Sequence, residues 1–231
     1  MNGDLTRAAL LMGKDALGRL ARARVAVFGV GGVGSWAAEA LLRAGVGHIT
    51  LIDADVVDVS NINRQLPATV DTVGRPKAEV LAERFASIRP EAEVKPVVRF
   101  YDEESASDFD IAQYDVIIDA IDSVASKTHL ILSATAKGIK LFSSMGAAQR
   151  LDPGRVEVAE FWKVRGCPLA RALRQRFKRG GTRPARKFRC VFSEEPLSGE
   201  PKGTSMAVTA TFGLRLAALA IDCLSKNNSQ T

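Results

Sequence analysis

Short apolar runs alternate along this chain with longer stretches in which apolar residues recur every three or four positions. Arg24–Phe28 carries four apolar residues in succession and reads as a buried strand. Ser35–Arg43 follows, with Ala37, Ala38, Ala40, Leu41 and Leu42 as good helix formers. Ile49–Ile52 is the next strand and Pro76–Phe85 the next helix, with Lys77 in its first turn. Val94–Val98 and Val116–Ile118 read as strands, the latter closing at Asp119. A helix over Ser126–Lys137 and a strand over Ile139–Phe142 continue the series. Strands alternating with helical segments predict an α/β fold with a mostly parallel sheet and helices on its faces. Later come a basic helix, Leu169–Arg179, stopped by Gly180-Gly181, and a mostly apolar helix, Ala207–Leu224. In the basic helix Leu169, Ala172, Leu173 and Phe177 are expected to turn inward, and in the apolar one Gly213 and Arg215 break the register. The tail Ser225–Thr231 is polar and expected to be disordered.

The first strand and helix are joined by Gly29-x-Gly31-Gly32-x-Gly34. Read as GxGxxG between a strand and a helix, this is the Rossmann fingerprint in its required context. Gly29, Gly31, Gly32 and Gly34 allow a tight turn and let a phosphate approach the backbone, where the helix start offers free N–H groups. Asp53 closes the second strand, nineteen residues after Gly34, and can accept hydrogen bonds from ribose hydroxyls. Asp122 lies in the loop after the strand that ends at Asp119. Ligands of open α/β sheets bind outside the carboxyl ends of strands, so these groups are expected to meet in one crevice. NAD would use the glycines and Asp53 but has little need of Arg64, Lys77 and Asp122. ATP uses all of them, with two cations for its phosphates and a carboxylate for Mg²⁺. The chain lacks GxxxxGK[ST], so attack on the α-phosphate by a carboxylate, releasing pyrophosphate, is favoured over a Walker-type ATPase. Asp55 is counted with the nucleotide-contacting residues, although with Asp58 it reads as a turn residue and not as half of a metal pair.

Composition adds one strong asymmetry. The 231 residues carry a formal net charge of +6. Eleven Lys or Arg and no Asp or Glu lie between Lys163 and Arg189. Removing those eleven from the 32 basic residues leaves fewer cations than the 26 acids, so the basic character belongs to one segment. Arg171, Arg174 and Lys178 would share a face of the basic helix, Arg176 and Arg179 broaden it, and Arg183, Arg186, Lys187 and Arg189 follow. Such a surface suits a nucleic-acid backbone. The three cysteines, Cys167, Cys190 and Cys223, form no CxxC pair, so neither zinc nor a disulfide framework is expected. His48, in the loop before the second strand, and His129 have no partner at metal spacing. No apolar run reaches the roughly 18 residues of an uncharged bilayer span, and Met1–Arg7 has no apolar core like that of a secretory signal. A cytoplasmic protein without membrane insertion is expected.

Four segments together, GVGGVGS (Gly29–Ser35), LIDADVVDVSNINRQ (Leu51–Gln65), GRPKAEV (Gly74–Val80) and DAIDS (Asp119–Ser123), resemble the ThiF/MoeB/HesA adenylating family, which includes the activating enzymes of ubiquitin and of sulfur-carrier proteins. The resemblance implies that Asp53 binds ribose, that Asn61, Arg64 and Lys77 hold phosphates, and that Asp122 holds Mg²⁺. It also implies that Arg7 reaches into a neighbouring subunit's site in a homodimer. Further segments, VIIDAIDSVASKTHLI, DPGRVEVAEF, CPLARALRQRFKR, CVFSEEP and VTATFG, are similar to one branch, the tRNA threonylcarbamoyladenosine (t6A) dehydratases. With them the resemblance covers nearly the whole chain. It implies a Rossmann-like core over residues 1–150 with an N-terminal helical arm. Residues 151–231 would form a mixed α/β extension completing the same domain, with tRNA held by the basic segment 163–189. The reaction implied is ATP-dependent cyclisation of the threonylcarbamoyl group on adenosine 37 of tRNA. The neighbouring branch instead activates the Gly-Gly terminus of a sulfur-carrier protein for molybdopterin or thiamine synthesis, and an NAD-binding protein is the alternative from another class.

Departures from the pattern matter. The CxxC pairs of many carrier activators are absent, and Ser123 stands where several of them have Asn. The stretch Ser198–Met206 is short and lacks the cysteine that some dehydratases carry there. A covalent thioester or persulfide step is therefore poorly supported, although Cys190 stays a candidate nucleophile beside Val191 and Phe192. A monovalent cation among the crevice carbonyls and an accessory sulfur- or electron-transfer protein are left open.

Overall fold

The computed structural model describes residues 5–197 and 203–226. Seven strands form one sheet: β1 (Arg24–Phe28), β2 (His48–Ile52), β3 (Glu93–Val97), β4 (Val116–Asp119), β5 (Lys140–Ser144), β6 (Val156–Glu160) and β7 (Arg189–Ser193). Their order is β3-β2-β1-β4-β5-β7-β6, parallel throughout except for the β6–β7 pair. The strand order reverses between β1 and β4, which is where a doubly wound sheet opens its ligand crevice. Pro96 lies in β3, an edge strand, where its missing N–H interrupts no interior ladder.

Seven α-helices accompany the sheet among the described residues: α1 (Thr6–Met12), α2 (Lys14–Arg22), α3 (Gly34–Arg43), α4 (Lys77–Ile88), α5 (Val124–Ala136), α6 (Pro168–Arg179) and α7 (Met206–Ser225). Alternation along the strands divides the core between two faces. Val25, Val27, Val116 and Ile118 join the layer that also holds buried residues of α2, α3, α4 and α7. Ala26, Phe28 and Ile117 join the opposite layer with residues of α5 and α6.

Several sequence-based expectations need correction. Gly213 does not break α7. It is the point where α7 crosses α3: a Cβ there would lie 2.4 Å from the Val33 carbonyl oxygen and 2.8 Å from Trp36 Cβ. Val208, Phe212, Leu216 and Ala220, spaced by four, are buried along the same stripe. Each of the larger ones contributes about 1.5–3 kcal/mol by leaving water. By length and composition alone α7 could cross a membrane, but its apolar stripe is packed in the core. In α6 the inward residues are Ala170, Leu173 and Phe177, whereas Leu169 and Ala172 are half-buried. His48 is the first residue of β2, its Nδ1 2.9 Å from Glu93 Oε2, and does not belong to the preceding loop. β6, given no strand by pattern, forms because β7 offers it an antiparallel edge. Of the tail, Asn227–Thr231 lie outside the described residues, as does most of the Ser198–Met206 connection.

Candidate functional site

The turn after β1 is built by its glycines. Gly29 has φ of +84°, and a Cβ at Gly34 would stand 1.8 Å from the Gly29 carbonyl oxygen. No flexible side chain can relieve that clash, because backbone meets backbone. Gly34→Ala is therefore expected to destabilise the fold by about 3 kcal/mol or more. Urea unfolding and ATP calorimetry on the variant would check this, with loss of nucleotide affinity expected even where the protein stays folded.

Around this turn opens a cavity of about 480 Å³ at the carboxyl ends of the strands. Gly29, Gly31 and Gly32 follow β1; Asp53 and Asp55 follow β2; Ile121 and Asp122 follow β4; Met145 to Ala148 follow β5. Asn61, Arg64, Gln65 and Lys77 close one side. Residues scattered over a hundred positions of sequence thus share one wall.

Asp53 is fixed at both oxygens. The Val30 N–H donates to Oδ2 at 2.7 Å and the Asp55 N–H to Oδ1 at 2.8 Å. Burial pushes its pKa above the ordinary carboxylate value, against the lowering effect of those two amides. Lys77 is 5% exposed and its Nζ donates to Asp55 Oδ2 at 2.8 Å. Asp55 itself is largely exposed, so this pair is open to exchange with another anion. Arg64 is half-buried. Its Nη1 donates to the Ser60 carbonyl at 2.8 Å and to Asn63 Oδ1 at 2.9 Å, which leaves other guanidinium N–H groups for a ligand. The Asn61 side chain accepts from the Asp58 N–H at 3.2 Å within a capping box, so it shapes the loop that carries Arg64. Asp122 is exposed at the mouth, with no hydrogen-bond or ion-pair partner among the described residues. Arg7 is exposed on α1 and does not line the crevice of its own chain.

Two features escaped the sequence reading. Gln65 is buried against Gly31 on the crevice wall, with Oε1 unpartnered among the described residues. Behind Asp122 lies a buried charge network. Lys127 and Asp119 are both 0% exposed, and Lys127 Nζ donates at 2.8 Å to Asp119 Oδ1 and at 2.8 Å to the Ile121 carbonyl. Ser143 Oγ donates to Asp119 Oδ2 at 2.6 Å. A lysine four residues into an apolar helix gives no sign in sequence that it neutralises a buried carboxylate at the end of β4 and holds the loop after it. Ser123 caps α5, its Oγ accepting from the Ser126 N–H at 3.4 Å.

Cys190 lies in β7 opposite Ser143, 0% exposed. Burial pushes its thiol well above the usual value, so it stays protonated at neutral pH. Cys190→Ala is expected to keep turnover within about threefold of the native rate, measured as pyrophosphate release, since a buried thiol is no nucleophile. Tyr101, also on the crevice wall, is pushed up to about 12 by burial, with its hydroxyl 3.0 Å from His129 Nδ1.

The basic segment begins at this crevice. Leu169, in the first turn of α6, lines the cavity, and the twelve residues of α6 lead away from it for about 18 Å. Arg171, Arg176, Lys178 and Arg179 are exposed along it. Arg174 differs from the expectation: its Nη2 donates to the carbonyls of Phe161 and Val164 at 2.8 and 2.5 Å, and its guanidinium lies over the Phe161 ring. It anchors the loop before α6 and does not face solvent as the neighbouring cations do. Arg183 lies over the partly exposed Trp162 ring at 4.8 Å.

The ThiF family profile matches residues 5–231. The chain belongs to the ThiF family. A tRNA threonylcarbamoyladenosine dehydratase of Bacillus subtilis is 43% identical over 192 residues, covering 83% of this chain and 75% of that protein. The Haemophilus influenzae dehydratase is 38% identical, covering 93% and 90%. The molybdopterin-synthase adenylyltransferase of Escherichia coli is 35% identical, covering 74% and 67%. The crystal structure of the E. coli dehydratase in complex with ATP superposes with a TM-score of 0.90 at 40% identity, covering 96% of this chain and 93% of the other. The similarity to the dehydratases thus runs on through the basic segment and α7.

Proposed function

We propose that this chain is an ATP-dependent tRNA threonylcarbamoyladenosine dehydratase. ATP enters the crevice, and the carboxylate of the modified adenosine at position 37 attacks its α-phosphate. The new bond is carboxylate oxygen to phosphorus, and the bond broken leads to pyrophosphate. The activated group then closes on itself and AMP departs, so the nucleoside loses one water overall. The observation that carries this reading is the junction of the two surfaces: the basic helix α6 starts on the wall of the nucleotide cavity. A polyanion lying along α6 would deliver one nucleotide to the ATP site.

The geometry supports the following roles. Asp53 takes the ribose hydroxyls. The Gly31–Gly34 turn gives its N–H groups to phosphate. Lys77 leaves Asp55 for a phosphate oxygen, and Arg64 joins it with its free donors, stabilising charge that builds as pyrophosphate separates. Gln65 packs behind Gly31 and supports the turn that receives the phosphates. Among the described residues no three His, Cys, Asp or Glu side chains cluster as a metal cage. Mg²⁺ is content with one carboxylate plus phosphate and water oxygens, and the unpartnered Asp122 fits that need. The ion would supply charge neutralisation at the phosphates. The working unit is a homodimer in which Arg7 crosses to the neighbouring crevice; beside it on α1, Leu10 and Leu11 are 81% and 87% exposed, apolar surface that a second copy would cover. The reaction belongs in the cytoplasm, with its tRNA.

The test is pyrophosphate release from ATP·Mg²⁺. Release that depends on tRNA bearing the threonylcarbamoyl group, and is absent with tRNA lacking it, is expected. Release driven instead by a carrier protein ending in Gly-Gly would replace this reading with the adenylyltransferase one.

A further inference from the structure

A second cavity, of about 340 Å³, opens at the other end of the sheet, where β5 and β7 begin. Its floor is apolar and spans the end of the sheet, with Leu141 and Phe188 from one core layer, Phe142 and Leu219 from the other, and Cys223 half-buried beside them. Its rim is cationic: Lys140, Arg186, Lys187 and Arg189 are all exposed, and none has a carboxylate partner among the described residues. The one acid on the rim, Asp222, is paired with Lys226 at 2.7 Å. The rim is also held in place. The Ala185 N–H donates to Thr135 Oγ1 at 3.2 Å, tying this loop to α5. Arg186 seats its guanidinium on Gly138, where φ is +74° and a Cβ would come within 2.8 Å of Cζ.

Four unpaired cations around a shaped cavity call for anions, and an apolar floor calls for a ligand with a flat, poorly hydrated body. A nucleotide of a polynucleotide chain has both. We infer that this far-end cavity is a second nucleotide subsite for the tRNA, holding the sugar and base of one residue on the floor and its flanking phosphates on the rim. The inference rests on the tRNA reading above and adds to it Lys140, the apolar floor and a location remote from the ATP crevice. Exposed cations of the basic segment, Arg171, Arg176, Lys178 and Arg179 on α6 and Arg183 after it, link the two sites, so the charges form a track and not a single patch. A five-residue strand separates the two ends of the sheet by about 17 Å, the rise of about five stacked nucleotides. The cavity thus sets which part of the anticodon arm is gripped while position 37 is in the crevice.

The experiment is tRNA affinity at several salt concentrations for the native protein, Lys140→Ala and Cys223→Phe, with ATP affinity of each measured alongside. Lys140→Ala is expected to weaken tRNA binding about threefold to tenfold and to lower the log–log salt slope by about one. Cys223→Phe fills the cavity without changing charge, and is expected to weaken binding about tenfold with the slope unchanged. ATP affinity stays native in both. Native tRNA affinity and slope in Lys140→Ala, an exposed position that does not threaten folding, would overturn the subsite. So would a second bound equivalent of free AMP that Cys223→Phe abolishes, since the ligand would then be a free nucleotide. A native protein with no salt-dependent affinity for tRNA at all would instead bring down the parent reading, and the subsite with it.

Discussion

Asp122→Ala is expected to lower the rate of pyrophosphate release with substrate tRNA by about 10²–10³-fold. The side chain is exposed at the crevice mouth and partners nothing among the described residues, so its loss leaves the melting temperature unchanged within about a degree. Its contribution is to the charge balance around the phosphates as the leaving group separates. Asp122→Asn keeps the shape and hydrogen-bonding size but not the charge, and the same fall is expected. Affinity for tRNA should hold near native, because the removed charge is negative and pairs with no α6 cation among the described residues. A fall in kcat at unchanged tRNA affinity is the signature. Weakened tRNA binding at native kcat would place Asp122 in recognition and not in phosphate chemistry.

The second large effect is on stability. Lys127→Met removes one partner of a pair in which both side chains are fully buried, leaving Asp119 charged without compensation. A cost of about 3–5 kcal/mol is expected, visible as a large fall in the urea midpoint. Removing both charges, with Asp119→Asn and Lys127→Met together, should recover most of it, since two neutral groups of similar shape need no ion partner. The Ser143 hydroxyl can still bond to the amide that replaces Asp119. If the double variant were no more stable than Lys127→Met, the pair would not be the source of the stability. The network also fixes the backbone at Ile121, next to Asp122, so the double variant is expected to retain its fold better than its rate.

Much of this architecture is legible in the sequence where the controlling forces are local. β1, the glycine turn and α3 are specified by consecutive residues, and a GxGxxG motif between an apolar run and a helix has few other uses. Asp53 and Asp122 could be placed in one crevice because they follow the carboxyl ends of β2 and β4, the parallel strands on either side of β1, a rule of topology that needs no side-chain detail. Local patterning fails where the partner is remote. Gly213 looks like a flaw in α7 until Val33 is seen against it. Arg174 looks like one more surface cation until the carbonyls of Phe161 and Val164 appear at its tip. β6 carries a weak strand pattern and exists through its antiparallel neighbour. Lys127 and Gln65 belong to the same class, since each takes its meaning from burial that only the folded chain supplies. The cation run between Lys163 and Arg189 was plain as charge, but its division between α6 and the far end of the sheet was not.

The central claim is a dehydration of t6A at the expense of ATP. It is tested most directly by mass spectrometry of nucleosides from t6A-bearing tRNA after incubation with the protein and ATP·Mg²⁺, with alkaline handling avoided so that a cyclic product is not reopened. The account predicts a modified nucleoside lighter by one water, formed by the native protein and absent with Asp122→Ala. An unchanged t6A mass, from protein shown by calorimetry to be folded and to bind ATP, would contradict it.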